Sequence, residues 1–237
     1  MKVEYDFRGS VVLITGAASG IGAATAAACA AAGATVVGAD VRGDGDKVDV
    51  ADSQAVRRFV RDAHARHGRI DAAVLAAAIQ KRTPIDETSD DEWHRHIAAN
   101  LDGVFYCVRE LAPIMKRQRR GAILMFTSGL VNIGWPGAAA YAASKGALIG
   151  LAKCAAQELR PFGVRVNVLS PGLVATPLFL DVASEEERAM YERTAGISQP
   201  EDVVPTVLHL ISDASANLTG ALIERRLVPE KRGQSNF

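Results

Sequence analysis

The chain has 237 residues, 49% of them hydrophobic and 23% charged, enough for one large α/β core and too apolar for a disordered chain. Lys plus Arg and Asp plus Glu stand at 27 each, so no net charge draws the protein to nucleic acid or to an anionic membrane. Cys29, Cys107 and Cys154 form neither a CxxC pair nor a disulfide framework and point to a reducing, cytoplasmic setting.

The opening residues, Met1-Lys2-Val3-Glu4-Tyr5-Asp6, mix charges and lack the apolar stretch of a signal peptide. Residues 9 to 39 carry no charged side chain, a length that could suggest a membrane span. Gly16, Gly20, Gly22 and Gly33 punctuate that stretch, and strand, turn, helix, turn and strand fit the punctuation better. Val11-Val12-Leu13-Ile14-Thr15 reads as a strand buried on both faces. The Ala-rich segment up to Ala32 reads as a close-packed helix ending at Gly33. A second strand over 35–39 ends beside Asp40, a third is expected over 48–50, a charged amphipathic helix over 53–67 and a fourth strand over 72–77.

A short helical segment near 90–97 then leads into a helix over 98–118. Its basic run, Lys116 to Arg120, precedes Gly121 and suits a solvated helix C-terminus. His94 and His96 are two apart, so on a helix they diverge and make a poor metal pair; no metal is expected. A fifth strand over 122–127, a long helix over 139–160, a sixth strand over 165–169, a helix over 201–212 and a last strand over 221–223 complete the alternation. Regular βαβ order implies a single α/β domain, a Rossmann-like doubly wound parallel sheet of about seven strands over 1–229. The polar segment 230–237 is expected to be a mobile tail.

Thr15-Gly16-Ala17-Ala18-Ser19-Gly20-Ile21-Gly22 sits between a strand and a helix. Gly16 permits the tight turn, Gly20 lets backbone approach a pyrophosphate, and Gly22 permits close helix packing. The helix N-terminus offers free N–H groups to the anion, with Ser19 and Ile21 inside the same turn. Three glycines alone are weak evidence; the strand–turn–helix context strengthens it. Asp40, 18 residues beyond Gly22, would accept bonds from the adenosine ribose hydroxyls and repel a 2′-phosphate, so NAD is favoured over NADP. Arg42 is the only cation at hand that could favour NADP. Asp40 could also be simply a turn acid ahead of Gly43.

Tyr141 and Lys145 are four apart at the start of the long helix, on one face. A free tyrosine, with a pKa of about 10, is a poor base; lowering it by three units takes roughly 4 kcal/mol. An ammonium one turn away can supply much of that in a dry cleft. By itself this spacing is common and means little.

The pair does not stand alone. TGAASGIG at 15–22, AANLDGVF at 98–105, Ser128 after a strand, YAASK at 141–145 and SPGLVATP at 170–177 come in one order, and together the chain resembles the short-chain dehydrogenase/reductase family over nearly its whole length. The resemblance implies Tyr141 as general acid/base, Ser128 as hydrogen-bond partner of the substrate oxygen, and Lys145 as the group that lowers the tyrosine pKa and binds the nicotinamide ribose. It implies that Asn100 holds a water relaying protons from Lys145; the plainer reading, a helix-interrupting polar residue with satisfied bonds, is compatible. It places Pro171, Gly172, Val174 and Thr176 beside the nicotinamide, and Asp49 and Val50 at the adenine. A homo-oligomer, dimer or tetramer, is implied as well.

Two stretches depart from the family pattern. After the fourth strand the family usually shows Asn-Asn-Ala-Gly, where this chain has Leu75-Ala76-Ala77-Ala78. Each lost amide bond costs on the order of 1 kcal/mol, and the Ala78 methyl stands where glycine would let the ribose approach. Near the end, Ala221 to Leu227 replaces the family's strand and Asp-Gly-Gly turn, which loosens the case for a tetramer.

The substrate pocket is expected between Leu130, Trp135, Gln80 and the flap 178–191. Leu178, Phe179, Leu180, Met190 and Tyr191 would give apolar walls for a moderately hydrophobic small-molecule alcohol or ketone; packing of the flap on the body is the equal alternative. Lys81 and Arg82 read as solvated loop charges sooner than as ligands of an acidic substrate. The function expected is an NAD-dependent oxidoreductase. The competing readings are a non-catalytic nucleotide sensor or scaffold, motivated by the altered fourth-strand motif, and a family member with non-redox chemistry.

Overall fold

A computed structural model describes residues 3–43 and 45–226. Its seven strands are β1 (Val11–Thr15), β2 (Thr35–Asp40), β3 (Asp46–Lys47), β4 (Ala72–Leu75), β5 (Gly121–Phe126), β6 (Val164–Ser170) and β7 (Leu222–Glu224). They form one parallel sheet in the order β3-β2-β1-β4-β5-β6-β7. The order reverses direction between β1 and β4, which opens a crevice at the carboxyl ends of those strands.

The central strands are continuous buried apolar runs because helices cover both faces. Alternation along β1 divides the core in two. Val11 and Leu13 face a cluster with Val60, Leu111, Met115 and Leu148, carried by α2 (Ser53–His67), α4 (Gly103–Gln118) and α6 (Ala139–Leu159). Val12 and Ile14 face the opposite cluster, with Cys29 on α1 (Gly20–Ala31) and Val203 and Val207 on α9 (Pro200–Ile211). The 9–39 stretch thus folds as strand, helix and strand. Among the described residues no helix is long and apolar enough to cross a membrane.

Several boundaries differ from the sequence expectation. The third strand pairs through Asp46 and Lys47 instead of 48–50, because Val48 and Val50 turn inward to the core. Strand β4 stops at Leu75; beyond it Ala76 N–H bonds Thr15 O at 3.2 Å and Ala77 N–H bonds the Thr15 hydroxyl at 3.3 Å. The helix expected over 98–118 is preceded by α3 (Asp90–Ile97) and opens with a π-helical turn, Ala98–Asp102. Arg119, within the basic run, takes the left-handed cap position with φ 57°. The flap contains α7 (Pro177–Leu180) and α8 (Glu185–Thr194), and a further short helix, α5 (Leu130–Ile133), follows β5. The tail expected at 230–237 lies outside the described residues.

Candidate functional site

A cavity of about 460 Å³ lies at the carboxyl ends of the strands. Gly16, Ser19, Gly20, Ile21, Gly22, Asp40, Asp49, Val50, Ser128, Tyr141, Lys145, Pro171, Gly172, Val174 and Thr176 all line it. Residues from six segments of sequence therefore meet around one space. Asn100 alone among the expected catalytic and cofactor residues stands behind the wall, fully buried.

The glycine turn is tight for identifiable reasons. Gly16 has φ +72°, and a Cβ there would come within 2.8 Å of Ala77 N, so no other residue fits both the conformation and the space. A Cβ on Gly22 would collide with the Gly16 carbonyl oxygen. The first turn of α1 consequently lies directly against the loop, with its N–H groups toward the cavity end.

Asp40 ends β2 with its carboxylate already oriented: Oδ2 accepts from Ala18 N–H at 3.1 Å and Oδ1 from Arg42 N–H at 2.9 Å. A carboxylate has about four acceptor sites, so capacity remains for ribose hydroxyls. Arg42 also lines the cavity, and its Nη2 donates to the Ser19 hydroxyl at 3.2 Å. Asp49 turns its carboxylate back to Ala51 N–H at 2.9 Å, which leaves the 49–50 backbone against the cavity wall.

Tyr141 and Lys145 occupy one face of α6, as their spacing requires. Lys145 Nζ lies 5.9 Å from the Tyr141 ring centroid. Burial works on them in opposite directions, because it disfavours whichever form is charged. It pushes the tyrosine phenol up to about 12, opposed by the hydrogen bond with Ser128. It pushes the lysine ammonium down to about 8. Among the described residues Lys145 has no carboxylate paired with it, and the Thr127 hydroxyl fixes its turn of helix by donating to Lys145 O at 2.9 Å. The Ser128 hydroxyl oxygen accepts from Leu130 N–H at 3.2 Å.

Asn100 sits in the π-helical turn, a local unwinding often found at functional sites. Its Oδ1 accepts from Ile79 N–H at 2.8 Å, and its Nδ2 donates to Ile79 O at 3.0 Å and to Ser144 Oγ at 3.1 Å. Both amide protons are committed. The side chain ties the loop after β4 to α6 through Ser144.

The departures noted in the sequence have local compensation. Leu75 is buried in the core instead of hydrogen bonding, and the Thr15 hydroxyl takes the Ala77 N–H. Among the described residues the only buried side-chain polar atoms without a partner are Thr25 Oγ1 and Arg82 Nε, so no side chain is orphaned at that edge. Ala78 lines the cavity as expected. At the end of β7, Arg225 N–H extends the ladder to Ser170 O at 2.9 Å, and its guanidinium reaches Ser198 Oγ at 2.9 Å and Pro171 O at 3.3 Å. A residue outside the expected site set thus secures the loop that carries Pro171. Nothing local in the sequence marks it, since its partners lie 27 and 54 residues away.

At the substrate end, Gln80, Leu130, Leu178, Phe179 and Tyr191 line the cavity as expected, joined by Arg82 and Asp181. Leu180, Met190 and Trp135 do not line it; Trp135 packs against Tyr191 with the rings tilted by 44° and their centroids 5.4 Å apart. Arg82 is no solvated loop charge: its side chain is 15% exposed and paired with Glu187. His96 is buried, taking Lys81 N–H on Nε2 at 3.2 Å and facing Glu92 O through Nδ1 at 2.9 Å. Its ring is fully engaged, and no metal-holding cluster occurs among the described residues.

The set fits a dinucleotide: a glycine cradle at a helix N-terminus, a pre-oriented acid with spare acceptor sites, and a buried ammonium with no ion pair among the described residues. Residues 16–224 match a family model described as enoyl-(acyl carrier protein) reductase. A 3-oxoacyl-(acyl-carrier-protein) reductase of Thermotoga maritima is 35% identical over 234 residues, covering 91% of this chain and 95% of that protein. D-threitol dehydrogenase of Mycolicibacterium smegmatis is 32% identical, covering 93% and 94%. Two solved structures superpose closely. Levodione reductase has a TM-score of 0.86 at 27% identity, covering 93% of this chain and 97% of that one. The aldohexose dehydrogenase of Thermoplasma acidophilum, in ligand-free form, has 0.85 at 29% identity, covering 92% of each chain.

Proposed function

The chain belongs to the short-chain dehydrogenase/reductase family of oxidoreductases, and on that premise we propose that it transfers a hydride between NAD and a small secondary alcohol or ketone, with Tyr141 as acid/base. The observation that carries this reading is the convergence of Ser128, Tyr141 and Lys145 on one cavity with the glycine turn and Asp40. The relatives named above are reductases and dehydrogenases, which supports redox chemistry over a sensing or scaffold role.

When bound, the nicotinamide supplies the hydride acceptor or donor. Tyr141 gives its phenolic proton to the carbonyl oxygen in reduction and takes the hydroxyl proton in oxidation. Ser128 accepts from Leu130 through its oxygen and can turn its own proton from the Tyr141 oxygen to the substrate oxygen, where it stabilises developing charge. With the phenol held near 12, reduction proceeds from the protonated tyrosine, whereas oxidation needs a lower pKa. Lys145, once its ammonium is stabilised by ribose hydroxyls and by the charge of the phenolate, supplies that lowering. Asn100 positions Ile79 and Ser144; a relay water beside it would be held by acceptor oxygens, since both amide protons are in use.

NAD is assigned on Asp40, whose carboxylate opposes a 2′-phosphate. Arg42 is the counterweight, and its guanidinium already leans on Ser19. The proposal extends to a cytoplasmic homo-oligomer, supported by three free thiols and by Phe105, 43% exposed on α4.

Titration of the purified protein with NAD and NADP, followed by assay of secondary alcohols with Tyr141→Phe as control, tests the reading. NAD is expected to bind more tightly, and Tyr141→Phe to lose about 10²–10⁴-fold in turnover. Binding of neither nucleotide would sink the enzyme reading, tighter NADP binding the Asp40 argument, and undiminished Tyr141→Phe turnover the acid/base assignment.

A further inference from the structure

Glu187 is the third residue of α8 and closes a capping box, its Oε2 accepting Ser184 N–H at 2.9 Å while Ser184 Oγ accepts Glu187 N–H at 3.1 Å. The same carboxylate takes Arg82 Nη1 on both oxygens, at 2.7 and 2.6 Å, and Trp135 Nε1 on Oε1 at 2.9 Å. Four hydrogen bonds fill the acceptor sites of a carboxylate. Glu187 is therefore spent inside the protein, and its work is to hold Arg82 in place against the Trp135 ring, 5.8 Å from the ring centroid.

Arg82 is the opposite case. Its bonds to Glu187 leave from Nη1 alone, Nε is buried with no partner, and Nη2 makes no bond among the described residues. The Nε–Nη2 edge of a guanidinium is a rigid fork that meets two oxygens side by side. Here Nε is shut away by burial, and Nη2 is the part of that edge with protons to spare, on a residue that lines the cavity holding Ser128 and Tyr141. Gln80 and Tyr191 line the same cavity and likewise make no side-chain hydrogen bonds among the described residues, while Asp181, which also lines it, is exposed to solvent. A pocket for a purely apolar ketone has no use for so much uncommitted polar capacity.

Charge narrows the ligand. Glu187 neutralises Arg82, and Asp181 adds a negative charge at the same end, so a carboxylate there would meet net repulsion. Hydroxyl and carbonyl oxygens would not. We propose that Arg82 is a specificity-determining residue, positioned by Glu187, and that the substrate is a neutral polyoxygenated alcohol or ketone carrying at least one oxygen besides the reacting one. This rests on the oxidoreductase reading above and names the substrate class for it.

The test uses the full chain saturated with whichever nucleotide it binds. Linear polyols of four to six carbons are compared with 2-alkanols and with hydroxy acids of the same chain lengths, by kcat/KM and by the melting-temperature shift each gives. Polyols are expected to exceed matched 2-alkanols at least tenfold in the wild type. Arg82→Met should reduce that ratio to near unity with nucleotide affinity unchanged, and Arg82→Lys, which keeps the charge but loses the planar guanidinium and its Nη2 donor, should fall close to Arg82→Met. If Arg82→Met fails to fold with Glu187 unpaired, the double variant Arg82→Met/Glu187→Met carries the comparison. A preference for 2-alkanols, a preference for hydroxy acids, a polyol preference surviving in the variants, or neither turnover nor a melting shift with any polyol would each overturn the proposal. Loss of nucleotide binding in the wild type would instead defeat the oxidoreductase reading, so the two failures are distinguishable.

Discussion

Lys145 is buried with a lowered pKa and no ion pair among the described residues, which makes it a source of instability in the nucleotide-free protein. Its pKa is near 8 when folded, against 10.5 for the free side chain. The folded state therefore binds fewer protons between those values, and stability rises with pH from about 8 to about 10.5. Below that window the cost is fully present, about 3 kcal/mol. Lys145→Met should accordingly melt higher than the wild type at pH 7, by about 2–4 °C per kcal/mol recovered, while losing activity; the gain should vanish above pH 10.5, as calorimetry across pH would show. Tyr141 has the opposite sign. Its phenol is raised from 10 to about 12, so the folded state keeps a proton that the unfolded chain loses, and stability falls as pH rises from 10 to 12. In turnover, alcohol oxidation should increase with pH through the neutral and alkaline range as phenolate forms, and carbonyl reduction should not. A flat oxidation profile would remove Tyr141 from the role of base. At the other end of the cavity, Asp40→Ser leaves Arg42 unopposed and should shift the NADP-to-NAD affinity ratio upward by at least about tenfold, or 1.4 kcal/mol, by equilibrium titration.

At the scale of elements, the edge of β4 shows how a departure from a family pattern is absorbed. Leu75 exchanges a polar bond for core packing, and Thr15 reaches across from β1 to take the Ala77 N–H. Thr15→Val removes that acceptor at nearly constant volume, leaves the N–H unpaired, and should cost about 1–3 kcal/mol with a weaker grip on the nucleotide, read by thermal melting with and without ligand. The element types followed from periodicity, since β1, α2 and α6 have strong patterns and clear punctuation. The ends did not. The third strand moved by two residues because burial of Val48 and Val50 outweighed their strand propensity, and the π-helical turn at Ala98–Asp102 left no mark in the apolar pattern. Arg82 read as a solvated charge because loop composition carries no information about Glu187, 105 residues away.

For the whole molecule, a nucleotide that binds only the folded chain must stabilise it. At one hundred times its dissociation constant the increment is about 2.7 kcal/mol, so NAD should raise the melting temperature by roughly 5–10 °C, and an unchanged melting curve at that saturation would contradict the cofactor assignment. The sequence by itself determined the alternation of strands and helices, the glycine turn, the acid at the end of β2 and the Ser–Tyr–Lys set, because each depends on local spacing or on residue types with narrow chemistry. Only the tertiary structure decided which groups remain uncommitted. Asn100 has both amide protons spent, Glu187 is filled, Lys145 is pushed down by burial, and Arg82 keeps Nη2 uncommitted among the described residues. Hydrogen-bond satisfaction and desolvation are sums over neighbours far apart in the chain, and no local pattern encodes that sum.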